Sequence, residues 1–508
     1  MVHLSKSKYC NLWQCPKMAW LNQYKPEVKT ESSGLEATFA AGTEVGNLAK
    51  GLFGDFVDVT AYKEEKLDLS GMIHNTRHEM EQGTPVICEA AFSYKGLYCA
   101  VDLLKKEGAG WTIYEVKSST NNDEERKKPP IYIADIAYQK YVLEHCGVNV
   151  VGTYLVCINN HYIFDGTMNV REFFYVLDVK DEVAVEIQNV ERNLEVAERV
   201  LNDKNEPDYD LDFRCREPYE CAFWAYCSRH VPSPSVFDLY RMPFKKKMEL
   251  YHDGLIEYRD LLLSGRIENE KQIRQMEFAL EEKGTYTEPE RIGDFLATLS
   301  FPIYFLDFET MQPVIPIFPG TVAYQQIPFQ YSLHYVEREG GELRHKEFLA
   351  VSGVDPRRDI AEALVRDIPK NVCVTAYNKA FECARLTELA EAFPDLADNL
   401  LNIRDHMIDL LIPFQKGYYY NRAMGGSFSI KSVLPAIFPE DPALDYQNLE
   451  DVHNGSEAMS IFPQIQYMEP EEQERVRHNL LKYCELDTYA MVKVWEELVR
   501  VYKEFAGN

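Results

Sequence analysis

Residues 301–310 read FPIYFLDFET, and the fold of the C-terminal half turns on them. Five of the first six residues are apolar, as in a strand buried on both faces, and then Asp307 and Glu309 arrive one residue apart at its end. Residues i and i+2 of a strand share a face, so the two carboxylates project together. Carboxylates that close repel each other unless a proton or a cation sits between them. A divalent metal is the natural answer, with a solvent-facing strand terminus as the plain alternative.

Outward from this strand, IPFQYSLHYVE (327–337) and EFLAV (347–351) read as further strands. NVCVTAY (371–377) is a short strand leading to Asn378, and a helix then carries Phe381 and Glu382. A terminal helix runs through LLKYCELDTYAMVKVWEELVRVYKEF (480–505), with Tyr483 and Asp487 four apart and so on one face. Strands first and alternating helices later predict a mixed sheet with helices on its faces. Asp409, in MIDLL, and the loop GGSFSIKSV (425–433) are further candidates: Gly425 and Gly426 for close backbone approach to a phosphate, Lys431 for its charge.

The N-terminal half repeats the α/β theme. TPVICEAAFSY (84–94), LYCAVDLL (97–104) and WTIYEVKSS (111–119) read as strands, followed by a helix in IADIAYQKYVLEHCG and a strand in VVGTYLVCI (150–158). Asp102 stands on one strand, and Glu115 and Lys117 share a face of the next. One acid beside acid-x-Lys can assemble a metal site in which the lysine positions water and stabilises charge on phosphorus; a surface ion pair is the bland reading.

The chain of 508 residues is too long for one ordinary core, and its 46% hydrophobic content is ample for several. No secretory signal or membrane-length apolar run is read in it, so a soluble, cytoplasmic protein is expected. Twelve cysteines then read as reduced thiols or metal ligands. Three of them, Cys215, Cys221 and Cys227, stand at equal intervals in CREPYECAFWAYC, and KYCNLWQCPKMAWL offers Cys15 or Cys10 from the opposite end of the domain. Four thiolates suit a 4Fe-4S cluster or a structural zinc. The formal charge of −27 argues against a nucleic-acid partner, except that carboxylates loaded with cations attract phosphate. Arg126, Lys127 and Lys128, and then Lys245, Lys246 and Lys247, form basic clusters that read as solvated faces.

The motif order in the C-terminal half resembles the tyrosine-bearing DEDD 3'-5' exonucleases of the RNase H-like fold. Asp307 and Glu309 match that family's first motif, Asn378, Phe381 and Glu382 its second, and Tyr483 and Asp487 its third. Glu382 departs from the usual Asp. The resemblance implies a catalytic set of Asp307, Glu309, Glu382, Tyr483 and Asp487. Asp307, Glu309 and Asp487 would bind two Mg²⁺ or Mn²⁺ ions about 4 Å apart, and Tyr483 would orient the attacking water.

The N-terminal half resembles the iron-sulfur, RecB-like branch of the PD-(D/E)XK nucleases. Asp102, Glu115 and Lys117 match the central catalytic motif, with Asp102 and Glu115 as metal ligands, and Gln139 with Tyr141 matches a glutamine-tyrosine element. Glu44 stands in place of an upstream His as a further metal ligand. Cys15, followed by Pro16, with Cys215, Cys221 and Cys227 would hold a 4Fe-4S cluster, with Zn²⁺ as the alternative.

Together these imply an α/β chain of two nuclease domains: 1–235 with a PD-(D/E)XK core and 298–508 with an RNase H-like mixed sheet, joined by a helical connector, 236–297. The expected function is metal-dependent hydrolysis of DNA in DNA processing or defence, without membrane association. The alternatives are an RNA-trimming exonuclease whose N-terminal domain is a nucleic-acid clamp, and a catalytically degenerate nucleic-acid-binding scaffold.

Overall fold

Alternation along Ile303–Met311 sets the architecture of the C-terminal half. Tyr304, Leu306 and Phe308 point to one face of the sheet and join a core with Leu333, Leu364, Val374 and Leu386. The odd-numbered residues point to the other face, where Phe305 lies 5.8 Å from the Trp495 ring of the terminal helix Pro470–Ala506. Asp307 and Glu309 therefore emerge beneath that helix.

The computed structural model describes residues 3–30, 35–120, 128–444, 446–449 and 452–507. Arg126 and Lys127 of the first basic cluster lie outside the described residues. The chain is α/β and divides into two compact units, residues 1–231 with 314–324, and residues 232–313 with 325–508.

The second unit carries a five-stranded sheet in the order Leu343–Leu349, Ile327–Val336, Ile303–Met311, Cys373–Ala376, Met407–Asp409. The first three strands are antiparallel, and Ile303–Met311 continues in parallel to the last two. Parallel neighbours need crossovers, and Arg357–Asp367, Ala380–Ala392 and Ala397–Asp405 provide helices for them. The terminal helix runs unbroken because no Gly or Pro interrupts it after Pro470 at its first turn, where Glu471 and Glu472 complement the helix dipole. Fully buried Leu480, Ala490, Val494 and Leu498 fasten it, the larger side chains at about 1.5–3 kcal/mol each.

Residues 236–297, expected as a connector, belong to this second unit. Their last helix, Pro289–Leu296, packs on the terminal helix so closely that a Cβ on Gly293 would meet the Tyr502 ring at 2.3 Å. LYHDGLIEYRDLL contributes parts of two packed helices, Phe244–His252 and Tyr258–Ser264.

The first unit is built on a seven-stranded sheet, Val57–Asp58, Val86–Tyr94, Leu97–Glu107, Gly110–Thr120, Val150–Ile158 and Phe174–Asp178 in order, with Leu4–Ser5 pairing in parallel to Leu97–Glu107. The helices Lys6–Gln14, Pro130–His145 and Lys180–Asn202 contribute Tyr9, Leu12, Ile136, Val183 and Val190 to the core on one face of this sheet. Val45 and Ala49 of Leu35–Ala49, with Val314 and Ala323, join the core on the other. Among the described residues no helix is long and apolar enough to cross a membrane.

Candidate active site

In the second unit the backbone brings four acids together. Asp307 and Glu309 lie opposite Ser332 and Gln330, with a register shift just after Glu309. Glu382 sits in the first turn of Ala380–Ala392, and Asp487 faces the sheet from the terminal helix. Glu309, Glu382 and Asp487 are buried. Burial, and then the charges of Asp487, Glu382 and Glu309, raise the proton affinity of Asp307 well above the carboxylate range. Burial followed by Asp487 does the same to Glu309. Glu382 is pushed up to about 8 by burial and then the charge of Asp409. Carboxyl groups that crowd one another in a buried site keep protons until a cation takes their place.

The donor set suits hard divalent cations such as Mg²⁺ or Mn²⁺: it is carboxylate-rich, mutually repelling and buried, and Glu382 Oε2 has no hydrogen-bond partner among the described residues. A sulfur also lies close, since Cys484 Sγ and oxygens of Asp307 and Glu309 fall within 4.8 Å of one another. Burial and the charges of Asp307, Glu309 and Asp487 raise the proton affinity of that thiol.

The expected tyrosine is present, with two further groups that sequence reasoning placed less well or missed. Tyr483 is 2% exposed and its Oη accepts from Lys431 Nζ at 3.4 Å. Tyr446 Oη donates to Asp487 Oδ1 at 2.6 Å, and the Lys431 ammonium lies 5.4 Å from the Tyr446 ring and 5.6 Å from the Tyr483 ring. Tyr446 opens a single 3-10 turn, Tyr446–Asn448, with no motif around it, so no periodic signal marked it. Asp409 is committed to the backbone, accepting from Asn378 N at 2.8 Å and Leu411 N at 2.9 Å, which holds Asn378 at φ +72°. The expected closeness of Gly426 to a phosphate has a different cause: at φ +82°, a Cβ there would meet Gln275 Oε1 at 2.5 Å.

A pH dependence follows from the raised carboxyls. A group that holds its proton more tightly folded than unfolded stabilises the fold below its unfolded pKa and loses that contribution as pH rises to the folded value. For Glu382 the window runs from near 4.5 to about 8. Without divalent cations the melting temperature of the second unit is expected to fall between pH 5 and pH 8.5. Mn²⁺ is expected to raise it more at pH 8.5 than at pH 5, because carboxylates must be deprotonated to bind. Differential scanning calorimetry checks both, and equal Mn²⁺ stabilisation at the two pH values contradicts the assignment.

The first unit assembles Asp102, Glu115 and Lys117 as a connected network. Asp102 Oδ2 accepts from Val116 N at 2.7 Å, and Lys117 Nζ donates to Glu115 Oε1 at 2.7 Å and to Asp135 Oδ2 at 2.8 Å. Gln139 Nε2 donates to Glu115 Oε2 at 2.7 Å and Asp135 Oδ1 at 2.9 Å. Tyr141 stays out of this network and its ring packs 4.1 Å from the ring of His145. Glu44, exposed on Leu35–Ala49, forms no hydrogen bond or ion pair with the three central residues.

Lys6, at the start of Lys6–Gln14, was not singled out in the sequence. Its Nζ reaches Asp102 Oδ1 at 3.4 Å and both oxygens of Glu115 at 2.9 and 3.1 Å. The parallel pairing of Leu4 with Leu97 and Ser5 with Tyr98 delivers it there. Burial opposes the charge on Glu115, but Lys117 and Lys6 prevail and hold it well below the usual carboxylate range. Asp102 is pushed up to about 7, by burial and then by Glu115. Glu89, at φ +56° opposite Asp102, is a further raised carboxyl beside the cluster. The Lys6 ammonium bridges Asp102 and Glu115, so Lys6 has to withdraw before these two acids can hold a divalent cation between them.

Lys6→Ala tests that arrangement. Removing one partner from a buried ion pair costs about 3 kcal/mol, because the other charge is left without compensation. The variant is expected to unfold earlier than wild type, and Mn²⁺ is expected to restore its stability while leaving that of the wild-type first unit unchanged. Thermal unfolding with and without Mn²⁺ is the measurement, and no difference in the cation response removes the argument.

Cys15, Cys215, Cys221 and Cys227 line one cavity, together with Met18, Leu21 and Phe223. Cys10 lies elsewhere, near Asp135 and Lys117. Among the described residues no three of the four sulfurs lie within 4.8 Å of one another. Four thiols around one cavity suit a 4Fe-4S cluster or a structural zinc.

Comparison with known proteins adds little beyond this geometry. No curated protein matches the chain. Residues 304–429 match a domain of unknown function (DUF2779), a span that holds Asp307, Glu309, Glu382 and Asp409 and ends before Lys431, Tyr483 and Asp487.

Proposed function

We propose that the chain is a metal-dependent nuclease that hydrolyses phosphodiester bonds of DNA, with 3'-5' exonuclease activity in the second unit. The observation that carries the reading is the convergence of Asp307, Glu309, Glu382 and Asp487, all with raised proton affinity, by burial first and at Asp307 and Glu309 also by the neighbouring carboxylates. Asp307, Glu309 and Asp487 would hold Mg²⁺ or Mn²⁺, with Glu382 beside them. When bound, such ions activate water and stabilise charge on the phosphate oxygens.

The protein's own groups have separate tasks. Tyr446 fixes the rotamer of Asp487 through its 2.6 Å hydrogen bond. Tyr483 keeps its proton, since burial and Asp487 raise its affinity, and its hydroxyl orients the incoming water by hydrogen bonding rather than by removing a proton. Lys431, held near Tyr483, supplies positive charge to the phosphate.

Asp102, Glu115 and Lys117 are proposed as a second, RecB-like site, and the four cysteines as a 4Fe-4S clasp. A cytoplasmic role in DNA processing or defence belongs to the same proposal. One observation favours a second reading, in which the first unit is a nucleic-acid clamp: Lys6 bridges Asp102 and Glu115.

Digestion of end-labelled single-stranded DNA, duplex DNA and RNA with Mn²⁺ separates these readings, using wild type, Asp307→Ala and Lys117→Ala. Stepwise shortening from the 3' end that disappears in Asp307→Ala and persists in Lys117→Ala is expected of the second unit. Products lost only in Lys117→Ala assign catalysis to the first unit. No product from wild type overturns the enzyme reading.

A further inference from the structure

A cavity of about 110 Å³, open to solvent, in the second unit is lined by residues of the helix Glu270–Leu280 and of the segment 414–428. Tyr240, Tyr420 and Phe428 give it aromatic walls, Arg241, Lys271 and Arg274 give it charge, and none of its lining residues is acidic. In a chain with 81 acids against 54 bases, three cations around one cavity without an acid among them is an unusual local balance. The nearest counter-charge is Glu288, 4.0 Å from Arg274 and outside the lining.

The cations are positioned by neutral groups, with Glu288 4.0 Å from Arg274. Lys271 Nζ donates to Gln415 O at 2.5 Å and Arg274 Nη1 to Gly417 O at 2.6 Å, both backbone carbonyls. The Arg241 guanidinium lies 4.5 Å from the centre of the Phe428 ring. Burial, and then the neighbouring charges of Lys416, Arg241 and Arg274, lower the proton affinity of Lys271, as expected where positive charge accumulates.

The cavity is also preformed. Gln275, 3% exposed, donates through Nε2 to Asp238 O, Tyr258 Oη and Gly425 O at 2.9–3.0 Å, which fixes the loop at Gly426. Two residues further, Phe428 O accepts from Tyr377 Oη at 2.8 Å, beside Asn378. The same chain then enters Ile430–Ile437 and supplies Lys431 to the acidic site. One continuous segment thus forms a wall of the cavity and an edge of the proposed catalytic centre.

Positive charge beside the half-buried Tyr240 ring, with Tyr420 and Phe428 buried behind it, is what a phosphate with an attached base requires. We propose that this cavity binds a nucleotide unit of single-stranded nucleic acid, with its phosphate on Arg241, Lys271 and Arg274. That the nucleotide comes from a strand rests on the nuclease reading; that the ligand is a nucleotide rests on the cavity alone.

The test is equilibrium binding of fluorescein-labelled (dT)12 and of deoxyadenosine 5'-monophosphate to the full chain in EDTA, over a range of salt. Lys271→Gln and Arg241→Gln are each expected to weaken (dT)12 binding by about fivefold. Each is expected to reduce the slope of log K against log salt by about 0.7, the value for one lost phosphate contact on a single strand. Lys271→Arg is expected to retain binding, which separates lost charge from misfolding. Unchanged affinity and slope in both glutamine variants overturn the proposal. Lys271-dependent binding of the mononucleotide without binding of (dT)12 overturns the strand assignment in favour of a free nucleotide. If wild type degrades no strand under Mn²⁺ but (dT)12 binding keeps its dependence on Lys271 and Arg241, the nuclease reading fails and the cavity assignment stands.

Discussion

Asp307→Asn is expected to abolish Mn²⁺-dependent hydrolysis while making the cation-free protein more stable. Catalysis should fall by at least ~10³-fold, about 4 kcal/mol of transition-state stabilisation, because the substitution removes a ligand charge from the centre of the carboxylate set. Stability moves the other way for an electrostatic reason. In the absence of cations Asp307 is repelled by Asp487, Glu382 and Glu309, and burial adds to the cost of ionising it. Asparagine keeps the shape of the side chain and removes only its charge. A gain of about 1–2 kcal/mol at pH 8 is expected, seen as a higher melting temperature in EDTA that Mn²⁺ raises little further. A variant that keeps its activity, or that melts earlier than wild type in EDTA, is incompatible with a cation-binding role for this residue.

Cys221→Ser is the second large effect, and it falls on the other unit. Cys15 opens the helix Pro16–Tyr24 and the other three proposed ligands lie past residue 214, so the proposed cluster would tie the two ends of the first unit together. Thiolate-held metals contribute folding free energy directly. Losing about 5 kcal/mol of it lowers the melting temperature of a unit this size by about 10–20 °C. The variant is expected to lose its brown absorbance and iron, and to show early unfolding of the first unit with the second unchanged. Hydrogen exchange resolved by segment distinguishes the two units. Full protection of the first unit in the variant would remove the clasp.

Much of the secondary structure was legible because its signals are local. LYCAVDLL falls within Leu97–Glu107, WTIYEVKSS within Gly110–Thr120 and NVCVTAY around Cys373–Ala376, since period-two alternation and apolar runs report burial directly. The candidate acids of the second unit were legible for a similar reason. The i, i+2 spacing of Asp307 and Glu309 and the i, i+4 spacing of Tyr483 and Asp487 are properties of a strand and a helix before any tertiary contact forms. Lys6 was missed because LSKSK has no periodicity that separates a network lysine from a solvated one. Its position depends on a two-residue parallel pairing with a strand more than ninety residues away. The cations of the proposed nucleotide cavity were equally invisible, since Arg241, Lys271 and Arg274 meet only when the segments carrying them pack together.

From the order of residues alone came the α/β class, the strands, the long terminal helix and the two acid-bearing motifs, because each depends on the geometry of a few neighbouring peptide units. Tertiary packing alone decided that Tyr446 bonds Asp487, that Lys6 bridges Asp102 and Glu115, and that residues 314–324 complete the core of the first unit. These are contacts between residues far apart in the chain. Which of them form depends on which buried charges and apolar faces the folded chain must satisfy at once, and no short window of sequence carries that information.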